Sequence, residues 1–221
     1  AIHQTAPLFG ETYATFGADV LGISGDDTSA QRMTGDMRLT TPWTLWGGNR
    51  ITASMSARYD VYHFDNTKMI DGDIYSGFKS RFLPSGYLEW GLPLFKPSSG
   101  WTQVLEPRAR ITFMRELDQE AFAESNDSAG TILTDSALFS DNRFAGLDLW
   151  ENGTYADYGM RRSAFNADGH TVEVFLGQSY DFANRPDTDL KGGFHNGLSD
   201  YVGRIAYNNT SWLDIASRFR L

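Results

Sequence analysis

Residues 32–63 read RMTGDMRLTTPWTLWGGNRITASMSARYDVYH, and their two-residue rhythm decides the fold. From Arg32 to Trp43 the odd positions are Met33, Gly35, Met37, Leu39, Thr41 and Trp43, and the even positions are Arg32, Thr34, Asp36, Arg38 and Thr40. After Gly47-Gly48-Asn49 the rhythm resumes. Ile51, Ala53, Met55, Ala57, Tyr59 and Val61 alternate with Arg50, Thr52, Ser54, Ser56, Arg58 and Asp60. Successive side chains of a strand point to opposite faces, so each segment has one apolar and one ionic face.

The pattern recurs outward in both directions. Leu105, Pro107, Ala109, Ile111 and Phe113 oppose Glu106, Arg108, Arg110 and Thr112; Ala156, Tyr158 and Met160 oppose Asp157, Gly159 and Arg161. Similar alternation runs through 172–177 and 213–221, and more weakly near 12–23, 73–83, 86–95 and 199–208. This predicts roughly ten strands of about 9–14 residues, a length that crosses a bilayer at a tilt. Turn chemistry separates them at Gly47-Gly48-Asn49, Asp71-Gly72-Asp73, Pro84-Ser85-Gly86, Pro97-Ser98-Ser99-Gly100 and Ala167-Asp168-Gly169. Two connections are long, at about 116–153 and 183–198. Trp43, Trp46, Trp90, Trp101, Trp150 and Trp212 fall at or near strand ends, as an interfacial girdle would. The fold expected is therefore all-β: an antiparallel transmembrane β-barrel, with residues 1–221 forming part of one barrel domain. A passive porin-like or adhesin barrel and a soluble carbohydrate-binding β-sandwich are the alternatives, since alternation also builds sandwiches.

Composition narrows the function. Aromatic residues make up 14% of the chain and hydrophobic residues 41%, without a run of about 18 apolar residues that would make a membrane helix. The net charge of -9 argues against a nucleic-acid partner. There is no cysteine, which removes thiolate chemistry. No secretory leader is visible, and the start at Ala1 suggests trimming. The histidines His3, His63, His170 and His195 make no ligand-spaced pair, and the acidic clusters read as turns. No metal, cofactor or catalytic residue is expected, and the chain is not read as an enzyme. The charged residues of the polar faces carry more meaning. Arg32, Arg38, Arg50, Arg58, Glu106, Arg108, Arg110, Asp157 and Arg161 are expected to line a hydrated lumen. Pro107 donates nothing to a ladder and implies a bulge or a weak seam.

The stretch from Gln103 to Tyr180 resembles the LptD (organic-solvent-tolerance, OstA) family. TQVLEPRARITF (Thr102 to Phe113), preceded by YLEWGLPLFKP (Tyr87 to Pro97), is similar to a family strand carrying a T-Q-x-L-E-P element. DSALFSDNRFAGLDLWENGTYADYGM (Asp135 to Met160) resembles the family phrase L-F-x-x-N-R-[FY]-x-G-x-D-R through Leu138, Phe139, Asn142, Arg143, Phe144, Gly146 and Asp148, with Leu149 where the family has arginine. VEVFLGQSYDF (Val172 to Phe182) is similar to L-x-x-G-Q-x-Y-x-F.

The resemblance implies a segment of a larger barrel of about 26 strands in the outer membrane of a Gram-negative bacterium. It implies lipopolysaccharide transport and assembly, with lipopolysaccharide as substrate and insertion into the outer leaflet. The partners implied are a plug lipoprotein of the LptE type, a periplasmic transport-bridge component and outer-membrane lipid. The family's cysteines, which link barrel to periplasmic domain, have no counterpart here, and the chain does not end on an aromatic, which suggests an internal segment. The 138–148 phrase is expected to shape the lumen or its mouth rather than to touch substrate.

Overall fold

The computed structural model describes residues 2–24, 29–69, 73–115, 132–144, 146–147, 149–151, 153–183, 193–209 and 212–221. Eleven strands form one antiparallel sheet. They are β1 (Ile2–Pro7), β2 (Tyr13–Ser24), β3 (Ser29–Thr44), β4 (Arg50–Lys68), β5 (Ile74–Gly91), β6 (Leu94–Lys96), β7 (Trp101–Met114), β8 (Gly153–Asn166), β9 (His170–Asp181), β10 (Val202–Asn209) and β11 (Leu213–Arg220). Neighbours in sequence are neighbours in the sheet, except that β5 and β6 both pair with β7 and so act as one broken strand. The sheet does not close on itself: β1 and β11 are its edges. Among the described residues the helical content is a 3-10 turn, Trp46–Gly48.

Register shows that the faces are those read from the sequence. Met33 pairs with Val61, Leu39 with Met55 and Trp43 with Ile51, while Asp36 pairs with Arg58 and Thr34 with Asp60. Directly paired residues share a face. The apolar face continues through Tyr59↔Phe82, Leu88↔Ile111, Ala109↔Tyr158 and Met160↔Leu176. It is open: Val20, Met55 and Phe78 are 76%, 74% and 70% exposed. The buried hydrophobic clusters lie elsewhere. One, Tyr62, Phe64 and Met69, is carried by the polar-face register of β4 and the residue after it; the other gathers Leu133, Leu138, Phe144, Phe175 and Val202. A sandwich would put the apolar faces against each other in a dry centre. Here they face away from the packed side of the sheet, so the soluble sandwich does not describe this chain.

Three expectations are corrected. Strand length runs from 3 residues in β6 to 19 in β4, wider than the range expected. Pro84-Ser85-Gly86 is no turn but the middle of β5. The reason lies in which side of the strand Pro84 leaves without a donor. Its carbonyl accepts from Arg115 N at 3.4 Å, so its missing N–H would face the same neighbour, just past the end of β7, where the loss is confined to the last rung. Trp150 is not part of a girdle. It lies on the polar face, with the Arg58 guanidinium 5.1 Å from its ring and its Nε1 donating to the Leu147 carbonyl at 3.1 Å. The other five tryptophans do share one rim. Trp43, Trp46, Trp90 and Trp101 sit beside the β3–β4 and β6–β7 turns and Trp212 in the β10–β11 turn, on the rim opposite both long connections.

Pro107 sits at the expected seam. β5 pairs with β7 as far as Gly91↔Arg108 and β6 resumes at Leu94↔Leu105, while β7 and β8 pair without interruption through Pro107↔Met160. Leu92 N still donates to the Pro107 carbonyl at 3.1 Å, and the missing proline donor points at the same break.

Candidate functional site

The polar face is not an empty lining. The described residues of 132–151, between β7 and β8, lie across it as a strap that reaches from β11 to β3. Local chemistry shapes the strap first. Leu138 N and Ala137 N both donate to the Thr134 carbonyl, at 3.0 and 3.2 Å, which makes one helical turn. The Asn142 side-chain oxygen accepts from Phe144 N at 3.2 Å and its amide donates to the Leu149 carbonyl at 3.0 Å, closing an Asx-type turn around Arg143. Gly146 takes φ 80°, a left-handed conformation that suits glycine.

Apolar contacts then seat the strap. Leu138 is fully buried against Phe175 and Val202, with Phe144 and Leu133 in the same cluster and Phe139 packed on its edge. Phe139 meets Phe175 edge-on at 6.4 Å and carries the Arg108 guanidinium 4.4 Å from its ring. The sheet makes room with glycine. Gly159 and Gly177 pair directly across β8 and β9 on the polar face. A Cβ on Gly177 would come within 2.4 Å of Leu138 Cδ2 and 2.9 Å of the Tyr158 carbonyl.

Charges complete the contact. Arg143 is buried and donates to Asp157 at 2.9 Å, to Ser179 at 2.7 Å and through two nitrogens to Glu151; Tyr155 lies 4.1 Å beneath it. Burial opposes its charge, but Glu151 and then Asp157 outweigh that, holding the guanidinium above the ordinary arginine range and cationic. Asp141 bridges Arg38 and Arg110, the latter at 2.9 Å. The Leu147 carbonyl accepts from Arg58 at 3.1 Å and Arg81 at 2.9 Å, and these two arginines clasp Asp60 at 2.8 and 2.6 Å. At the other end Asp135 meets Arg218 of β11 at 2.8 Å.

Each residue expected at the site can now be placed. Leu138, Phe139, Asn142, Arg143, Phe144 and Gly146 are brought together in the strap; Asp148 lies outside the described residues. Arg38, Arg58, Arg108, Arg110 and Asp157 meet the strap directly. Arg32 pairs with Asp19 at 3.2 Å, and Arg161 with Glu173 at 3.8 Å, both on the polar face but apart from the strap. Glu106 pairs in register with Arg161, and Arg50 stands exposed at the start of β4. Among the partners that escaped the sequence reading are Arg81, Glu89, Asp141, Glu151 and Ser179. Glu89 receives Arg108 and Arg110, both at 2.8 Å. Arg81 and Glu89 have the inward parity of β5 and could have been found from it; Asp141 and Glu151 lie in a segment without period. Among the described residues no cluster of His, Asp and Glu could hold a metal ion.

A profile of the family described as LptD, LPS transport system D, matches residues 2–221. The LPS-assembly protein LptD of Acinetobacter baylyi is 28% identical over 146 residues, covering 66% of this chain and 17% of that protein. The namesake in Acinetobacter baumannii is 30% identical over 108 residues, 48% of this chain and 13% of that protein. The one in Escherichia coli K12 is 25% identical over 186 residues, 80% of this chain and 23% of that protein. The chain thus spans less than a quarter of the length of these relatives.

Proposed function

The chain belongs to the LptD family, LPS transport system D, a family of outer-membrane β-barrels, and from that premise we propose that it forms part of the barrel wall through which lipopolysaccharide is assembled into the outer leaflet of a Gram-negative outer membrane. The observation that carries this reading is the separation of the two faces. On one, side chains such as Val20, Met55 and Phe78 are exposed on an uncovered sheet. On the other, arginines and carboxylates interlock around a strap. In water such an apolar face is a liability; against acyl chains it is the favoured side.

Lipopolysaccharide needs the same division. Its acidic, sugar-rich head requires a polar passage, because charge is costly in hydrocarbon, while its acyl chains must reach lipid. The strap supports the shaping role rather than direct substrate contact. Arg58, Arg81, Arg110 and Arg143 already meet protein carboxylates, so a phosphate would have to displace Asp60, Glu89, Asp141 or Glu151 to reach them. Further strands to a total of about 26, a plug lipoprotein of the LptE type and a periplasmic bridge component complete the assembly in this reading. The protein acts as a conduit and catalyses no bond change.

Depletion of the protein in its host tests this. Depleted cells should lose newly made lipopolysaccharide from the surface, measured by pulse-labelling and access to a surface-acting enzyme, and should admit large hydrophobic antibiotics. Unchanged surface delivery on depletion would overturn the reading. The fractionated protein should also stay in the outer membrane until detergent is added.

A further inference from the structure

We propose that the membrane-facing wall binds an anionic glycerophospholipid at the β6–β7–β8 seam, with an acyl chain in a surface depression and the phosphate held by Lys96 and Arg162. The proposal rests on the barrel reading above and adds a lipid site to it.

The depression has a structural cause. Between β5 and β6 the register with β7 runs on unshifted but the pairing thins, Leu92 keeping its bond to the Pro107 carbonyl and Pro93 offering no donor, and the wall beside them holds a hollow of about 320 Å³ bordered by Leu94, Phe95, Lys96, Gln103, Val104, Leu105 and Arg162. Register puts Leu94, Lys96, Gln103, Leu105 and Arg162 on the apolar face, with Leu94 paired to Leu105, Lys96 to Gln103 and Leu105 to Arg162, while Phe95 and Val104 have the opposite parity. The floor is therefore leucine and the border cationic.

Charge on this face is otherwise absent between the rims. The apolar registers of β1 to β11 carry no Asp, Glu, Lys or Arg except Asp65 and Lys68, at the end of β4 on the opposite rim, and this pair. An outward arginine or lysine is costly at the bilayer midplane and much less so near the interface. Two of them beside one hollow need an anion. The protein supplies none: among the described residues neither Lys96 nor Arg162 forms an ion pair with a carboxylate, whereas Arg58, Arg81, Arg108 and Arg110 on the other face each do. Arg162 uses one donor on the Gln103 side-chain oxygen, at 2.9 Å, which steadies the guanidinium and leaves other N–H groups of its fork for a phosphate.

Depth agrees. The Leu105↔Arg162 pair lies four residues inside Trp101↔Asn166, on the tryptophan-bearing rim. That is about 14 Å along a strand and less along the membrane normal because barrel strands tilt. An arginine there reaches the headgroup layer by extending its stem over apolar surface. The rim lies opposite the long connections, the arrangement that outer-membrane barrels place toward the periplasm. The lipid at hand on that side is the inner-leaflet glycerophospholipid.

The test uses the full-length protein, delipidated in mild detergent and titrated with phosphatidylglycerol, phosphatidylcholine or hexa-acyl lipid A, with bound lipids counted by native mass spectrometry. Wild type should hold one phosphatidylglycerol on the order of thirtyfold more tightly than the Lys96→Gln/Arg162→Gln double variant, the equivalent of about 1 kcal/mol for each of the two basic residues. Arg162→Lys should keep most of that affinity, and phosphatidylcholine should not distinguish wild type from the double variant. Equal phosphatidylglycerol affinity in wild type and double variant, or tighter binding of lipid A than phosphatidylglycerol at the site, would overturn the proposal. The double variant should remain in the outer membrane and deliver lipopolysaccharide normally, so loss of the lipid site is separable from failure of the barrel reading, which would take the wild type itself out of the membrane.

Discussion

Arg143 concentrates the residue-scale argument. It is buried, and its partners Glu151 and Asp157 are buried with it. Removing one member of such a group leaves the others charged and unpaired, which costs about 3–5 kcal/mol. Arg143→Ala should show that loss in urea unfolding in micelles, while Arg50→Ala, at an exposed strand end, should stay within about 0.5 kcal/mol. Gly177→Ala is the complementary probe. Its methyl would press on Leu138 and on the Tyr158 carbonyl, a crowding that costs about 1–3 kcal/mol. If the clash is the cause, Gly177→Ala and Leu138→Ala together should destabilise by less than the sum of the two. Arg143 stood out in the sequence through its place in a family phrase. Of its acceptors Asp157 stood out by its parity, but Glu151 and Ser179 did not, because they are brought to it only by the strap and the β8–β9 pairing.

At the scale of elements, the strands were legible and the strap was not. Period-two alternation located the body of β3, β4 and β7 because one face meets an apolar medium and the other an ionic one. It misjudged β5, where Pro84 and Gly86 carry turn chemistry yet sit in the ladder at a point where Pro84 forfeits only the last rung toward β7. The strap has no period, and its meaning lies in contacts to eight strands. Its apolar seat gives a clean test. Leu138→Ala should weaken strap docking by about 2–5 kcal/mol. Hydrogen exchange should then quicken at residues 134–144 while β3 and β4, paired to each other over their length, keep their protection. Equal quickening in strap and strands would mean that the two unfold as one unit.

For the whole molecule, the decisive property is that its uncovered apolar face is the face away from the strap. Met55, exposed and paired with Leu39 and Gly86, lies well inside the rim. Met55→Arg should therefore cost about 2–4 kcal/mol in lipid vesicles. The same substitution in a water-exposed sheet would be nearly neutral, so the size of the effect reports the medium. Tryptophans explain why this scale was read correctly yet with one intruder. Five mark the rim, whereas Trp150 belongs to the arginine cluster around Arg58.

The strap also sets a timetable. Asp141 meets Arg38 across 103 residues of chain and Leu147 meets Arg58 across 89, whereas, apart from β7–β8 and β9–β10, the hairpins that build the wall join strands a few residues apart. Close partners meet early and distant ones late, because each long loop must be closed before its contact gives anything back. Hairpins should thus zip first, leaving a nascent wall in which Arg38 and Arg218 lack the strap carboxylates Asp141 and Asp135 until the strap settles. A chaperone or assembly machine attending this protein would meet a finished wall whose strap is still undocked, with Arg38 and Arg218 uncovered and the apolar seat of Leu138 open.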